Sequence, residues 1–211
     1  MYCMNDIDRI LIPDFEIEKR VQELGMQIKR DYINSVPRVK VSAAAATTQR
    51  SAETDMGGGL KLPLLMVGVL RGAFVFLADL CRAADMPVEI NFVALSSYAG
   101  TESTGRVRIV KDLEQSVEGR DVLIVEDIID TGITLAYLKE LLNGRKPASL
   151  KICALLDKPS RRKADIQADY VGFTVPDEFL VGCGLDFDGK YRNLRDICVL
   201  RGKRRKEEVR S

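Results

Sequence analysis

Residues 122–135 read VLIVEDIIDTGITL and hold the densest group of chemically useful side chains in this 211-residue sequence. An apolar run leads into two adjacent carboxylates, Glu126 and Asp127; Asp130 follows, and then Thr131, Gly132, Ile133 and Thr134. Ligands of open parallel sheets bind at the carboxyl ends of the strands. Gly132 permits a tight turn and a close backbone approach to a ligand. A helix that begins inside the motif offers unbonded amides and a positive dipole end to an anion. Thr131 and Thr134 add hydroxyl donors. The carboxylates suit Mg²⁺ and ribose hydroxyls better than a phosphate, because Mg²⁺ takes oxygen ligands and keeps several waters. One segment therefore carries the parts to hold an anion, a sugar and a metal. Aspartate and threonine are also ordinary helix caps. A plain strand–loop–helix does not account for three acids and two threonines in this order directly after a buried strand.

Such a segment needs a frame. Residues 14–32 show apolar positions Ile17, Val21, Leu24 and Ile28 at helical spacing. Residues 64–69 form a continuous apolar run, the pattern of a strand covered on both faces. Residues 73–84 follow as a helix, with Phe74, Leu77, Leu80 and Cys81 on one side, and 88–95 as the next strand. A short exposed strand fits 106–110, a third buried strand 122–125, and a helix 133–142 that stops near Asn143 and Gly144. Residues 150–155 and 170–173 complete the set. Alternation of this kind predicts an α/β fold, a mostly parallel twisted sheet flanked by helices. Residues 36–59 break the pattern with small residues and a triple glycine, and they read as a flexible surface insertion. The glycines lack the spacing of a phosphate-binding loop and precede a strand, not a helix.

Composition narrows the chemistry. Apolar residues make up 46% of the chain, and 32 basic against 31 acidic side chains leave a formal charge of +1. That balance argues against nonspecific nucleic-acid binding. There is no histidine, so catalysis must rest on carboxylates, lysines, hydroxyls or a metal held by oxygen. Cys3, Cys81, Cys153, Cys183 and Cys198 form no CxxC pair and read as reduced thiols of a cytoplasmic protein. No membrane span is expected, since the apolar run 62–70 is too short. The basic cluster 201–206 reads as a solvated tail, with a targeting signal as the alternative.

The segment 126–134 resembles the PRPP signature of the type I phosphoribosyltransferases, and the resemblance extends along the chain. Leu70, Arg71, Gly72, Ala73 and Phe74 match the first pyrophosphate loop of the hypoxanthine-guanine members. Ser96, Ser97 and Tyr98 match the start of their mobile loop, and the segments 156–159 and 176–182 match their purine-binding segments. Segments 185–188 and 191–194 match their closing motif. The resemblance implies the type I fold, with a core at about 60–175 and a small hood from 1–35 and 176–200. It implies Mg²⁺-dependent transfer of ribose 5-phosphate from PRPP to a 6-oxopurine, giving IMP or GMP, in a homodimer or homotetramer.

The same resemblance implies the roles. Glu126 and Asp127 hold ribose hydroxyls and Mg²⁺; Asp130, Thr131, Gly132, Ile133 and Thr134 wrap the 5-phosphate; Asp130 faces N7 of the purine as the catalytic carboxylate. Arg71, Gly72 and Arg192 reach pyrophosphate, and Asp186 binds a second Mg²⁺. Lys158 donates to the purine oxygen, Phe179 stacks on the base, and Leu180 and Asp186 complete the purine side. Ser97 and Tyr98 open a loop that closes over the site. Relatives often hold the peptide before Arg71 in the cis form, which makes Leu70–Arg71 a candidate. Three departures stand out: Arg71 and Ile133 occupy positions where many relatives carry lysine, and Cys183 one where an aromatic is frequent. A PRPP-binding regulator, or a transferase preferring xanthine, would keep the same signature.

Overall fold

The computed structural model describes residues 6–33, 62–97 and 107–202. Tyr98, Cys3, the insertion at 36–59 and the tail beyond 202 lie outside the described residues. In chain order the elements are β1 (Ile7–Ile12), α1 (Asp14–Ile33), β2 (Leu64–Leu70), α2 (Phe74–Ala84), β3 (Val88–Ser97) and β4 (Val107–Lys111). After them come β5 (Asp121–Ile129), α3 (Ile133–Asn143), β6 (Ser149–Asp157), β7 (Tyr170–Thr174), β8 (Leu180–Val181) and β9 (Ile197–Leu200).

The main sheet has the order β4-β3-β2-β5-β6-β7, parallel throughout except for the antiparallel edge strand β4. Its central strands carry continuous apolar runs because both faces are covered there. Leu64, Met66, Leu123, Val125, Cys153 and Leu155 join the cluster that includes α1 and α2 residues. Their neighbours Leu65, Val67, Val122, Ile124, Ile152 and Ala154 join the cluster built on Leu135, Leu138 and Leu142 of α3. Each strand thus splits its side chains between two helical layers by the pleat alone.

Helix α1 starts at Pro13, whose carbonyl accepts from the amides of Glu16 and Ile17. It packs on α2 and β7, so this part of the expected hood lies against the main sheet. Strand β1 instead joins β9 and β8 in a second, antiparallel sheet of order β1-β9-β8. A small core of Val181, Tyr191, Cys198 and Leu200 supports that sheet.

The order of the main sheet matters most for the site. From β2 the chain moves outward to β3 and β4; it then returns to the other side of β2 and continues through β5, β6 and β7. The direction reverses between β2 and β5, and such a switch point leaves a crevice at the carboxyl ends of the two strands.

Candidate active site

The two loops that flank this crevice are the ones the sequence singles out. Strand β2 ends at Leu70, and Arg71 and Gly72 turn the chain into α2; the Leu70–Arg71 peptide, named in the sequence only as a candidate, is cis. Strand β5 runs four residues further than the apolar run suggests, to Ile129, so Glu126 and Asp127 are strand residues rather than loop residues. Glu126 pairs in register with Ala154, and Ile128 with Leu156. The regular pleat then sends Glu126 and Asp127 to opposite faces of the sheet.

Asp127 lies against the other loop. A Cβ added at Gly72 would fall 1.6 Å from Asp127 Oδ2, so only a glycine lets the β2 turn meet this carboxylate. Asp127 Oδ1 accepts the Ile128 amide at 2.9 Å. Burial raises the Asp127 carboxyl to about 6, against the pull of that amide and of nearby Arg192. Burial also holds Glu126 well above the ordinary carboxylate range, and Asp127 adds to the effect. Glu126 Oε2 is buried without a hydrogen-bond partner. A buried carboxylate oxygen without a donor is costly, and such groups cluster where a protein is built to receive a cation or a hydroxyl.

The closing segment covers the same point from above. Arg192 donates to the Gly184 carbonyl at 2.7 Å and pairs with Asp186 Oδ1 at 2.6 Å. Gly184 adopts φ +96°, and a Cβ there would lie 2.0 Å from the Gly72 carbonyl, so the two glycine turns are in close contact. Sequence reasoning gave Arg192 and Asp186 separate partners on the ligand; here they engage each other. Among the described residues no three Cys, Asp or Glu side chains gather to hold a metal. Glu126, Asp127 and Asp186 are therefore not a ready-made metal cage. The donor set does fit a hydrated Mg²⁺ that takes one or two carboxylates and draws its other ligands from water and substrate.

The loop after β5 carries the residues expected on the anion side. Gly132, at φ +78°, caps α3 without a capping side chain, and a Cβ there would fall 2.6 Å from Ile166 Cγ2. Thr131 accepts the amides of Lys163 and Ala164 through its carbonyl. Ile133 opens the helix and is 43% exposed. Arg71 is also exposed, at the mouth of the crevice.

The residues expected on the base side come from the turn after β6 and from the segment that leads into β8. The Lys158 amide donates to the Ile129 carbonyl at 2.9 Å, which seats Lys158 beside Asp130. The Lys158 side chain is buried, and its Nζ donates to the Glu178 carbonyl at 2.5 Å. Phe179 meets Phe187 edge to face, with centroids 5.4 Å apart. Leu180 is buried in the edge strand β8. The Leu200 amide bonds the Phe179 carbonyl beside the Leu180–Val199 pair. That is the wide type of antiparallel pair, so the peptide groups of Leu180 face away from β9 towards the open edge. Ser97 ends β3; Tyr98 is outside the described residues. Burial pushes the Cys183 thiol up to about 12, so it is no nucleophile near neutral pH.

Two residues were missed in the sequence. Arg161 Nε donates to Asp130 Oδ1 at 3.2 Å, and Arg162 Nη1 donates to the Asp130 carbonyl at 2.8 Å and pairs with Asp157 through Nη2. The signal was present as two successive arginines directly after the Lys158 segment.

The chain is similar to known proteins along most of its length. The phosphoribosyl transferase domain family matches residues 33–188. The hypoxanthine-guanine phosphoribosyltransferase of Bacillus subtilis is 48% identical over 198 residues, 93% of this chain and 95% of that protein. The hypoxanthine phosphoribosyltransferase of Salmonella typhimurium is 45% identical over 186 residues, 88% of this chain and 90% of that protein. The crystal structure of a hypoxanthine phosphoribosyltransferase from Staphylococcus aureus superposes with a TM-score of 0.76 at 45% identity, covering 93% of this chain and 92% of that one. The chain belongs to the phosphoribosyltransferase family, and within it to the hypoxanthine-guanine phosphoribosyltransferases.

Proposed function

We propose that this protein is a purine salvage enzyme. It transfers the 5-phosphoribosyl group of PRPP to N9 of hypoxanthine or guanine, giving IMP or GMP and pyrophosphate. The observation that carries the reading is the juxtaposition at the switch point. The Arg71–Gly72 turn and the residues 126–134 flank one crevice, and Lys158 and Asp130 adjoin each other on its base side.

Breaking the ribose C1 bond develops oxocarbenium-like charge, which needs no protein nucleophile. Catalysis then rests on holding two substrates in line and stabilising the charge. The amides and hydroxyls of Thr131, Gly132, Ile133 and Thr134 hold the 5-phosphate at the start of α3. Glu126 and Asp127 take the ribose hydroxyls. Mg²⁺, when bound, neutralises the departing pyrophosphate and is oriented by Glu126, Asp127 and Asp186. Arg71, Gly72 and Arg192 hold the pyrophosphate itself; for that, Arg192 exchanges Asp186 for the ligand. Asp130 accepts the proton, or a hydrogen bond, at purine N7. Lys158 donates to the 6-oxo group, and a donor in this place rejects an amino group. Phe179 and Leu180 hold the face and edge of the base. Ser97 and Tyr98 lead into the loop that excludes water. The enzyme works in the cytoplasm as a homo-oligomer, as the family resemblance implies.

Titration calorimetry tests the reading. PRPP with Mg²⁺ is expected to bind, and adding hypoxanthine is expected to release pyrophosphate. Binding of PRPP with no release on adding any 6-oxopurine would point to a PRPP-sensing regulator instead.

A further inference from the structure

Arg161 has no task in the mechanism above, yet it touches the residue at its centre. It lies in the 3-10 turn Pro159–Arg161, directly after Lys158. Its Nε donates to Asp130 Oδ1 at 3.2 Å, and its Nη1 reaches Asp177 Oδ2 at 3.5 Å. The side chains are 20% exposed for Arg161, 19% for Asp130 and 50% for Asp177, so the Asp130 end is the sheltered one. One guanidinium therefore joins the loop after β5 to the segment that carries Phe179. Arginine does this because its donors point in fixed, separate directions, whereas a lysine ammonium is a single point on a flexible stem.

The turn that carries Arg161 is itself fixed to the same loop. The Lys158 amide is bonded to Ile129, the Arg161 amide to the Lys158 carbonyl at 3.1 Å, and Arg162 Nη1 to the Asp130 carbonyl. Arg162 thus holds the main chain of Asp130, and Arg161 holds its carboxylate.

We propose that Arg161 is a positioning residue for phosphoribosyl transfer: it keeps the Asp130 carboxylate aimed at N7 of the purine, and through Asp177 it ties that aim to the seating of the base segment. The proposal rests on the enzyme reading given above. Its consequence is a division of labour. The 5-phosphate is held by amides and hydroxyls that do not depend on the direction of the Asp130 side chain. Losing Arg161 therefore affects the chemical step and base binding, and leaves PRPP binding in place.

The test compares wild type, Arg161→Ala, Arg161→Lys and Asp177→Asn in steady-state kinetics with PRPP and hypoxanthine, alongside thermal unfolding. Arg161→Ala is expected to lower kcat about 10-fold, the lower end for loss of a charge-assisted hydrogen bond, with KM for PRPP unchanged. Arg161→Lys is expected to recover part of kcat, since a charge remains near Asp130. Asp177→Asn is expected to give a smaller loss of kcat and a raised KM for hypoxanthine. Wild-type or increased kcat in Arg161→Ala overturns the proposal. So does a parallel loss of kcat, PRPP affinity and melting temperature in both Arg161 variants, which would mark a mere brace. If Arg161→Ala does not fold, unchanged kcat in both Arg161→Lys and Asp177→Asn overturns it. Absence of nucleotide formation by folded wild type would instead remove the enzyme reading beneath it.

Discussion

Asp127 and Glu126 show how function acts on single residues here. Both carboxyls are held above their ordinary range in the ligand-free protein, chiefly by burial. For Asp127, with a pKa moved up from 3.8 to about 6, the folded state binds its proton more tightly than the unfolded chain does. Stability therefore falls as pH rises through that window and is regained as pH drops. Without PRPP or Mg²⁺, Asp127→Asn is expected to stabilise the protein at pH 7.5 by about 1–2 kcal/mol, discounted for partial exposure. It is expected to flatten the dependence between pH 4 and 6 seen in denaturant unfolding. The same substitution weakens PRPP binding, which is the usual opposition of stability and activity at a site. For Asp130→Asn, kcat is expected to drop by about 10²-fold or more with little change in KM for PRPP. Equal losses in the two would show that Asp130 mainly binds. For Lys158→Ala, the preference for guanine over adenine is expected to fall by about 10²-fold; competition assays with the two bases measure it, and an unchanged preference would take the base-reading role away from Lys158.

At the scale of elements, the site is a product of strand ends. Strands β2 and β5 were readable because their positions are apolar on both faces, and α1, α2 and α3 because their apolar residues recur at helical spacing. The last four residues of β5 were not, since Glu126 and Asp127 interrupt the apolar run; ladder bonds to β6 carry the strand on regardless of side-chain polarity. Strands β1, β8 and β9 were missed as well. Two to six residues give no period to read, and their pairing joins chain segments about 190 residues apart at the extremes. The Asp130–Arg161 contact spans 31 residues and has no local pattern, so only the folded chain reveals it. Packing sets its own requirements too. Gly25 of α1 faces the Ala83 main chain of α2, where a Cβ would lie 2.4 Å from the Ala83 carbonyl carbon. Gly25→Ala is expected to cost about 1–3 kcal/mol in chemical denaturation by overpacking, with kcat at permissive temperature unchanged, because α1 supplies no residue to the crevice. A neutral effect on stability would mean that the two helices can move apart freely.

For the whole molecule, the proposed function gives the main sheet the PRPP half of the site and the second sheet, which carries Leu180 with Phe179 just before it, the base half. The residues proposed to recognise the acceptor, Lys158, Phe179 and Leu180, come from different parts of the chain from those proposed to hold the donor. A PRPP site alone would leave the acceptor open; the proposed base half narrows it to a 6-oxopurine. The most direct test of this claim is a spectrophotometric assay of the purified protein with PRPP, Mg²⁺ and a panel of free bases. The account predicts that hypoxanthine and guanine are converted to nucleotides with one pyrophosphate released per turnover, while adenine and pyrimidines are left unchanged. Well-folded protein that converts no 6-oxopurine, or that uses adenine as readily as guanine, would contradict it.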